Sequence, residues 1–264
     1  MTREEFLRFL ARAASDPHIR LTEEEAAGLL AAFDRGEIDS RHLPLPLTDA
    51  VDGVTREDVE RAATALAALG LLRGNRDRAR DRLRQRFIVE ARAYAGAVAD
   101  GDLTVAEWHT VQRDVTRDYT VAMAVLGAGA VGAALGLLPG LDRAAREQTA
   151  YLSRFADGVA AGRLLGMAWS VGAIAARAAM YAGAGYGWFF RAREAGAGRV
   201  GYVVDWIAHD DDRTCQACLA AEHNGPYLVG EGPMPGSVCY GGGRCRCRRE
   251  TRYDPDAYAR LTRR

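Results

Sequence analysis

Lysine is absent from this chain, so all 35 of its basic side chains apart from histidine are arginines. Alanine and glycine are abundant beside them, a joint bias that points to a GC-rich coding sequence. Thermal adaptation is a weaker reading, because lysine is usually enriched there. An excess of either charge is missing too. The 35 acidic residues balance the 35 basic ones, so no whole-molecule field drives the chain onto nucleic acid. The opening Met1-Thr2-Arg3-Glu4-Glu5 has acidic residues and no long apolar core behind it. No secretory signal is read there, and a reducing compartment is the expectation. The sequence also has no Gly-x-Ser-x-Gly, no His-Glu-x-x-His and no P-loop. The His-x-Glu that accompanies Pro-Cys-x-x-Cys in zinc deaminases is likewise missing. Long runs of large apolar side chains are scarce. Val121 to Leu138 is uncharged, but it is mostly Ala and Gly, so its insertion into a bilayer is poor. A buried helix or a tight Gly-rich hairpin is the expectation for that stretch, because small residues let helices approach closely.

Cysteine is missing from the first 214 residues, and all five cysteines follow in one pattern: Cys215-x2-Cys218, then Cys239-x5-Cys245-x-Cys247. Two cysteines separated by two residues turn a knuckle around one ion, and a second group some twenty residues later closes a tetrahedral site. The adjacent Gly241-Gly242-Gly243 lets the backbone fold closely around such an ion. An odd number of thiols leaves one over in any disulfide framework. Zinc is therefore preferred to disulfides, and both to redox or iron–sulfur chemistry. A tetrahedral site needs four ligands. Cys215, Cys218 and Cys239 are three of them, and Cys245 or Cys247 is the fourth, with a lean to Cys247. His223 is read as a loop histidine held in reserve.

Hydrophobic residues make up 48% of the 264, enough for a sizeable core and against global disorder. The expected class is mainly α: a multi-helix bundle followed by a small C-terminal zinc-binding, β-rich module. Phe6, Leu7, Phe9, Leu10 and Ala13 share a helix face, with Pro17 as its end. Thr22 with Glu25, Thr55 with Asp58 and Thr104 with Glu107 are capping boxes. Residues 40–54 read as a linker. The helix opened by Thr55 is expected to run through Ala62, Leu66, Leu69 and Leu72. A long helix covers Arg76 to Ala99, and its arginine-dense first half reads as a solvated face with internal ion pairs, in preference to a contact with DNA or an acidic partner. Asp142 to Ala161 and Ala173 to Phe190 are further helices, the latter with Met180, Tyr181, Tyr186, Trp188 and Phe189 as core. Val200, Tyr202, Val204 and Trp206 then alternate as a strand. Boundaries are expected at 1–75, 76–198, 199–250 and 251–264, the last a basic tail.

Two clusters near the cysteines carry other chemistry. His209, Asp210, Asp211 and Asp212 form a general-base group of a hydrolase, hydrogen-bonding partners of the metal ligands or, as preferred here, a polar turn in which Asp212 caps the backbone before Cys215. Arg244, Arg246, Arg248, Arg249 and Arg252 are a candidate nucleic-acid or partner-binding patch, or the counter-charge of an anionic thiolate site.

The order of these features resembles a known family. Gln148-x2-Tyr151-Leu152-x2-Phe155 is followed by Arg177-Ala178-x-Met180-Tyr181 and by a strand ending in Trp206. Asp212-Arg213-Thr214-Cys215-x2-Cys218, a proline and Cys245-Arg246-Cys247 complete the run. This is similar to the phage Mu F-like minor head (head morphogenesis) proteins, over roughly residues 85–250, the cysteine frame being the most specific part. Many members place a histidine shortly before Cys-Arg-Cys, where this chain has Cys239. The resemblance implies a non-enzymatic, low-copy virion protein, placed at the capsid interior or neck and assembled in the host cytoplasm. Its implied partners are the portal and the major capsid or scaffold protein, with packaged DNA as a further contact and no membrane.

Overall fold

A computed structural model of the chain describes residues 2–14, 22–38, 53–72, 74–166, 169–196, 200–209, 211–239 and 245–263. Among the described residues there are ten helices and three strands, so the chain is mainly α with a small sheet near its C-terminus, as its patterning predicts. The helices are α1 (Arg3–Ala14), α2 (Glu23–Asp34), α3 (Arg56–Ala68), α4 (Arg76–Asp100), α5 (Val105–Ala128), α6 (Val131–Leu135), α7 (Leu138–Leu164), α8 (Val171–Ala195), α9 (Gln216–His223) and α10 (Pro255–Thr262). The strands are β1 (Tyr202–Ile207), β2 (Tyr227–Leu228) and β3 (Arg248–Tyr253). The chain divides into two compact units. One holds residues 1–53, 90–115 and 144–178, and the other holds 54–89, 116–143 and 179–264.

Local chemistry sets the helix starts. Thr22 accepts from the backbone N–H of Glu25 while the Glu25 carboxylate takes the N–H of Thr22, and Thr55 with Asp58 does the same. Thr104 and Glu107 repeat this exchange at 3.1 and 2.8 Å before α5. Each box satisfies two amides that a helix start leaves without partners. Gly36, at φ 72°, takes the left-handed turn after α2 that a side chain would resist.

In the first unit α1 lies against α2, with Phe6 stacked on Phe33 at 4.3 Å. Phe6, Phe9, Leu10 and Ala13 are buried as expected, but Leu7 faces outward because it lies off the stripe that meets α2. The centre of this unit is an edge-to-face series, Trp108 to Phe155 at 5.7 Å and Phe155 to Trp169 at 5.6 Å. Beside it His109 Nε2 lies 2.9 Å from Ser153 Oγ. The Ser153 hydroxyl donates to Thr149 O at 2.8 Å, so the imidazole supplies the proton of the His109–Ser153 bond.

In the second unit the Ala/Gly-rich stretch is buried helix. Met123, Ala124, Val125 and Leu126 are inaccessible in α5, and a Cβ on Gly127 would collide with Phe189 O of α8. Among the described residues no helix is long and apolar enough to cross a membrane. Three expectations are corrected here. The helix opened by Thr55 ends at Ala68, leaving Leu69 63% exposed beyond it. Pro139 does not close the stretch but sits in the first turn of α7, where its missing N–H costs nothing. The arginine run of α4 is not wholly solvated: Arg80 is buried over the rings of Tyr186, Phe189 and Phe190 at 5.1–5.3 Å and is held by Asp77 and Asp81. The expected linker at 40–54 and the end at Pro17 lie largely outside the described residues.

The sheet has the order β2-β1-β3, antiparallel throughout. The residues from Arg248 onward, expected as a basic tail, instead form β3, which pairs along the whole of β1 from Tyr202↔Tyr253 to Ile207↔Arg248. α10 follows, with Asp254 capping Ala257 N at 2.8 Å and Pro255 in its first turn. Alternating charges in Arg-Arg-Glu-Thr-Arg-Tyr hide this strand from a hydrophobic reading. The ladder is completed by cross-strand pairing such as Arg252 to Asp205 at 2.5 Å.

Candidate metal centre

The five cysteines converge. Cys215 is the N-cap residue of α9 and Cys218 lies one turn into it, so helical geometry puts both sulfurs at the same helix end. Cys245 and Cys247 arrive from the segment entering β3, and both are buried. Cys215, Cys218 and Cys239 form one group with all sulfurs within 4.8 Å of one another, and Cys218, Cys245 and Cys247 form a second. Cys218 belongs to both and is the pivot of the cluster. Cys215 Sγ lies 3.4 Å from Cys218 Sγ and 3.8 Å from Cys239 Sγ. Four thiolates at about 2.3 Å from a tetrahedral zinc ion stand about 3.8 Å apart. All five cysteines are free thiols, with no disulfide among them. His223, at the exposed end of α9, belongs to neither group.

These thiols are also the core of the module. Cys218, Cys245 and Cys247 cluster with Trp206, Ala208 and Ala221, and Cys215, Cys239, Tyr227 and Val238 pack around them. Such a core contains few large side chains. Burial and neighbouring sulfurs push the Cys218 thiol up, and the hydrogen bond that Cys245 gives to Cys247, with burial, pushes Cys245 up. Cys247 is lowered to about 5, first by that bond from Cys245 and then by the His209 backbone N–H and by Trp206, against burial. The indole Nε1 of Trp206 is otherwise a buried donor without a conventional partner. An anionic sulfur at Cys247 answers that orphan donor. The donor set, its spacing and this N–H all fit a metal ion of soft-ligand preference.

A cavity of about 430 Å³ opens beside the thiols, with His209, Arg213 and Arg246 in its wall. Asp211, not Asp212, organises the turn before Cys215. Its carboxylate accepts from Arg213 N at 3.1 Å, and its carbonyl accepts from Thr214 N at 3.1 Å. Asp211 also takes two bonds from Arg246 at 2.5 and 2.6 Å, which hold its carboxyl well below the usual carboxylate range. A carboxylate tied this way is a poor general base. Asp210 lies outside the described residues.

The arginine patch is reassigned by its partners. Arg249 is buried and spends its donors on Glu194 (2.6 and 2.9 Å), Pro233 O and Glu231 O, so it is a structural tie and not a surface contact. Arg246 pairs with Asp211, Arg248 with Glu250 at 2.7 Å, and Arg252 with Asp205 and Asp254. Arg244 and the glycine run lie outside the described residues. Sequence reasoning named Asp211 only as one of the His209–Asp212 cluster and Trp206 only as a strand residue, and it missed Glu194. The partners of Asp211 and Glu194 are 35 and 55 residues away.

The fold and site define a helical protein with a thiol-centred C-terminal module able to hold a metal ion. Comparison with models of known families, with curated proteins and with solved structures finds no match to the chain.

Proposed function

We propose that this protein is a minor head (head morphogenesis) component of a tailed phage or prophage, with a zinc ion stapling its C-terminal module. The observation that carries the metal reading is the use of cysteine as core: Cys218, Cys245 and Cys247 are buried beside Trp206 with Cys215 and Cys239 packed against them, and small modules of this kind commonly take a metal as a further tie. Zinc is the ion best suited to four thiolates, and a closed tetrathiolate shell leaves no position for substrate or water, so the role is structural and not enzymatic. Cys215, Cys218 and Cys239 supply three ligands. Cys247 supplies the fourth, supported by the N–H donors of His209 and Trp206 aimed at it. The head reading rests on the resemblance of the cysteine frame and the helices before it. The protein would work at the portal or procapsid interior, against the portal, major capsid or scaffold protein.

Two measurements test the two halves separately. Elemental analysis with thiol titration should give one zinc per chain and four thiols protected until a chelator is added. Five freely reactive thiols and no metal would remove the staple. Co-expression with a portal protein and a major capsid protein of a tailed phage should place the protein in procapsids. Its exclusion from them would overturn the head assignment while leaving the metal result standing.

A further inference from the structure

A second cavity in the same unit, of about 400 Å³, has no part in the thiol site. Its wall brings together Asp77 and Arg80 of α4, Arg193 of α8, and Arg248, Arg249 and Glu250 of β3. Four guanidinium groups thus face two carboxylates. Their commitments differ. Arg249 engages Glu194 and two carbonyls through all three of its nitrogens, and Arg80 likewise engages Asp77 and Asp81 through all three. Arg193 reaches Asp77 through Nη1 alone, at 3.3 Å, and Arg248 reaches Glu250 through Nε alone, at 2.7 Å. The other nitrogens of these two side chains have no hydrogen-bond partner among the described residues. Both side chains are about half exposed, at 47% and 55%, so neither is locked in place. The wall therefore has a rigid, neutralised base of Arg80 and Arg249, and two adjustable forks with unused donors.

We propose that this cavity is an oxyanion site taking a phosphate group, gripped by Arg193 and Arg248. Planar guanidinium forks suit the paired oxygens of phosphate, and charge-assisted bonds of this kind are the strong ones. The volume lies within the roughly 300–1,000 Å³ of small-ligand sites and leaves room for water or for the atoms attached to the phosphate. Glu250 acts as an internal competitor for Arg248, so affinity is set by how readily that pair opens. The proposal does not depend on the head assignment or on the metal.

Calorimetric titration of the full chain at low ionic strength, with inorganic phosphate in one arm and a short oligonucleotide in the other, tests it. Saturable phosphate binding is expected. The Arg193→Gln/Arg248→Gln double variant should weaken it by about tenfold or more, with an unchanged circular dichroism spectrum. Glu250→Gln, which releases Arg248, should tighten it, a gain that a purely structural role for these residues does not produce. Oligonucleotide binding that falls in the double variant identifies nucleic-acid phosphodiester as the source; binding of inorganic phosphate alone identifies the free ion. No binding in either arm, or equal affinity in wild type and both variants, overturns the site.

Discussion

At the residue scale, two buried polar groups decide how this protein responds to its surroundings. His109 is enclosed between α5 and α7, and burial, then the nearby Arg113, lowers it from 6.5 to about 4, with Asp114 opposing. Its proton sits on Nε2 and points at Ser153, so a second proton would enter the buried Nδ1 side of the ring. Because the folded state holds the neutral form, its contribution to stability is complete above pH 6.5 and is lost as pH falls from there to about 4. The loss amounts to about 3 kcal/mol for a shift of this size. Urea unfolding from pH 7 to pH 4 should show it, and His109→Gln should flatten that slope relative to wild type; an identical slope in the variant would assign the acid sensitivity elsewhere. The second group is the Glu194–Arg249 pair, with side chains 3% and 1% exposed. Arg249→Met leaves the Glu194 carboxylate buried without its ion partner and strips a donor from Glu231 O and Pro233 O. A cost of about 3–5 kcal/mol is expected. Adding Glu194→Gln to that variant should recover part of it by removing the uncompensated charge. A cost below about 1 kcal/mol for Arg249→Met would mean that water reaches the pair.

At the element scale, legibility followed how local the determining physics was. Capping boxes at Thr22, Thr55 and Thr104 act over three residues, and all three helix starts were readable. The three- and four-residue spacing of Leu152, Phe155 and Val159 likewise marks the buried face of α7. The cysteine cluster was readable because thiols so spaced have few other uses. β3 was not, since its charged side chains satisfy themselves against β1 and α8 partners that no local pattern reveals. α8 also extends beyond the expected Ala173 to Phe190: it begins at Val171 and runs to Ala195, carrying Glu194 to the sheet. Close helix approach was legible only as composition. The Ala/Gly-rich stretch announced small residues, while the structure shows the particular one that matters. Gly127 of α5 lies where a Cβ would overlap Phe189 O, a backbone atom with no freedom to swing aside. Gly127→Val should cost about 1–3 kcal/mol through forced separation of α5 and α8. Gly132→Val in the short α6, where nothing lies within 4 Å of the Cβ position, is the control for packing. Equal melting temperatures for the two variants would show that α5 and α8 are not in tight contact.

At the scale of the whole molecule, the question is why a chain with so much helix ends in a module centred on sulfur. Most of its helical residues lie in α1 to α8 and are stabilised by ordinary packing, whereas the segment after residue 200 buries few large apolar side chains, Val203, Val204, Trp206 and Met234 among them, and packs Trp206 against thiols and small alanines. An ion bound by the folded module alone would add to this limited apolar burial, at about 4 kcal/mol when the free ion exceeds its dissociation constant a thousandfold. Chelation is therefore expected to act locally. Four thiols should become reactive together, Trp206 emission should shift to the red, and most of the far-ultraviolet helical signal should remain. A Trp206→Phe variant separates that emission from Trp108, Trp169 and Trp188. The five cysteines should not contribute equally. Cys218 belongs to both sulfur groups, so Cys218→Ser should lose the ion and reproduce the chelated state. Cys245, the residue left over when Cys247 ligates, should tolerate serine with the ion retained. Equal metal loss in Cys218→Ser and Cys245→Ser would show that Cys245 ligates, and would return Cys247 to the role of the spare thiol. Retention of the ion in Cys218→Ser would show that the two sulfur groups do not share a single centre.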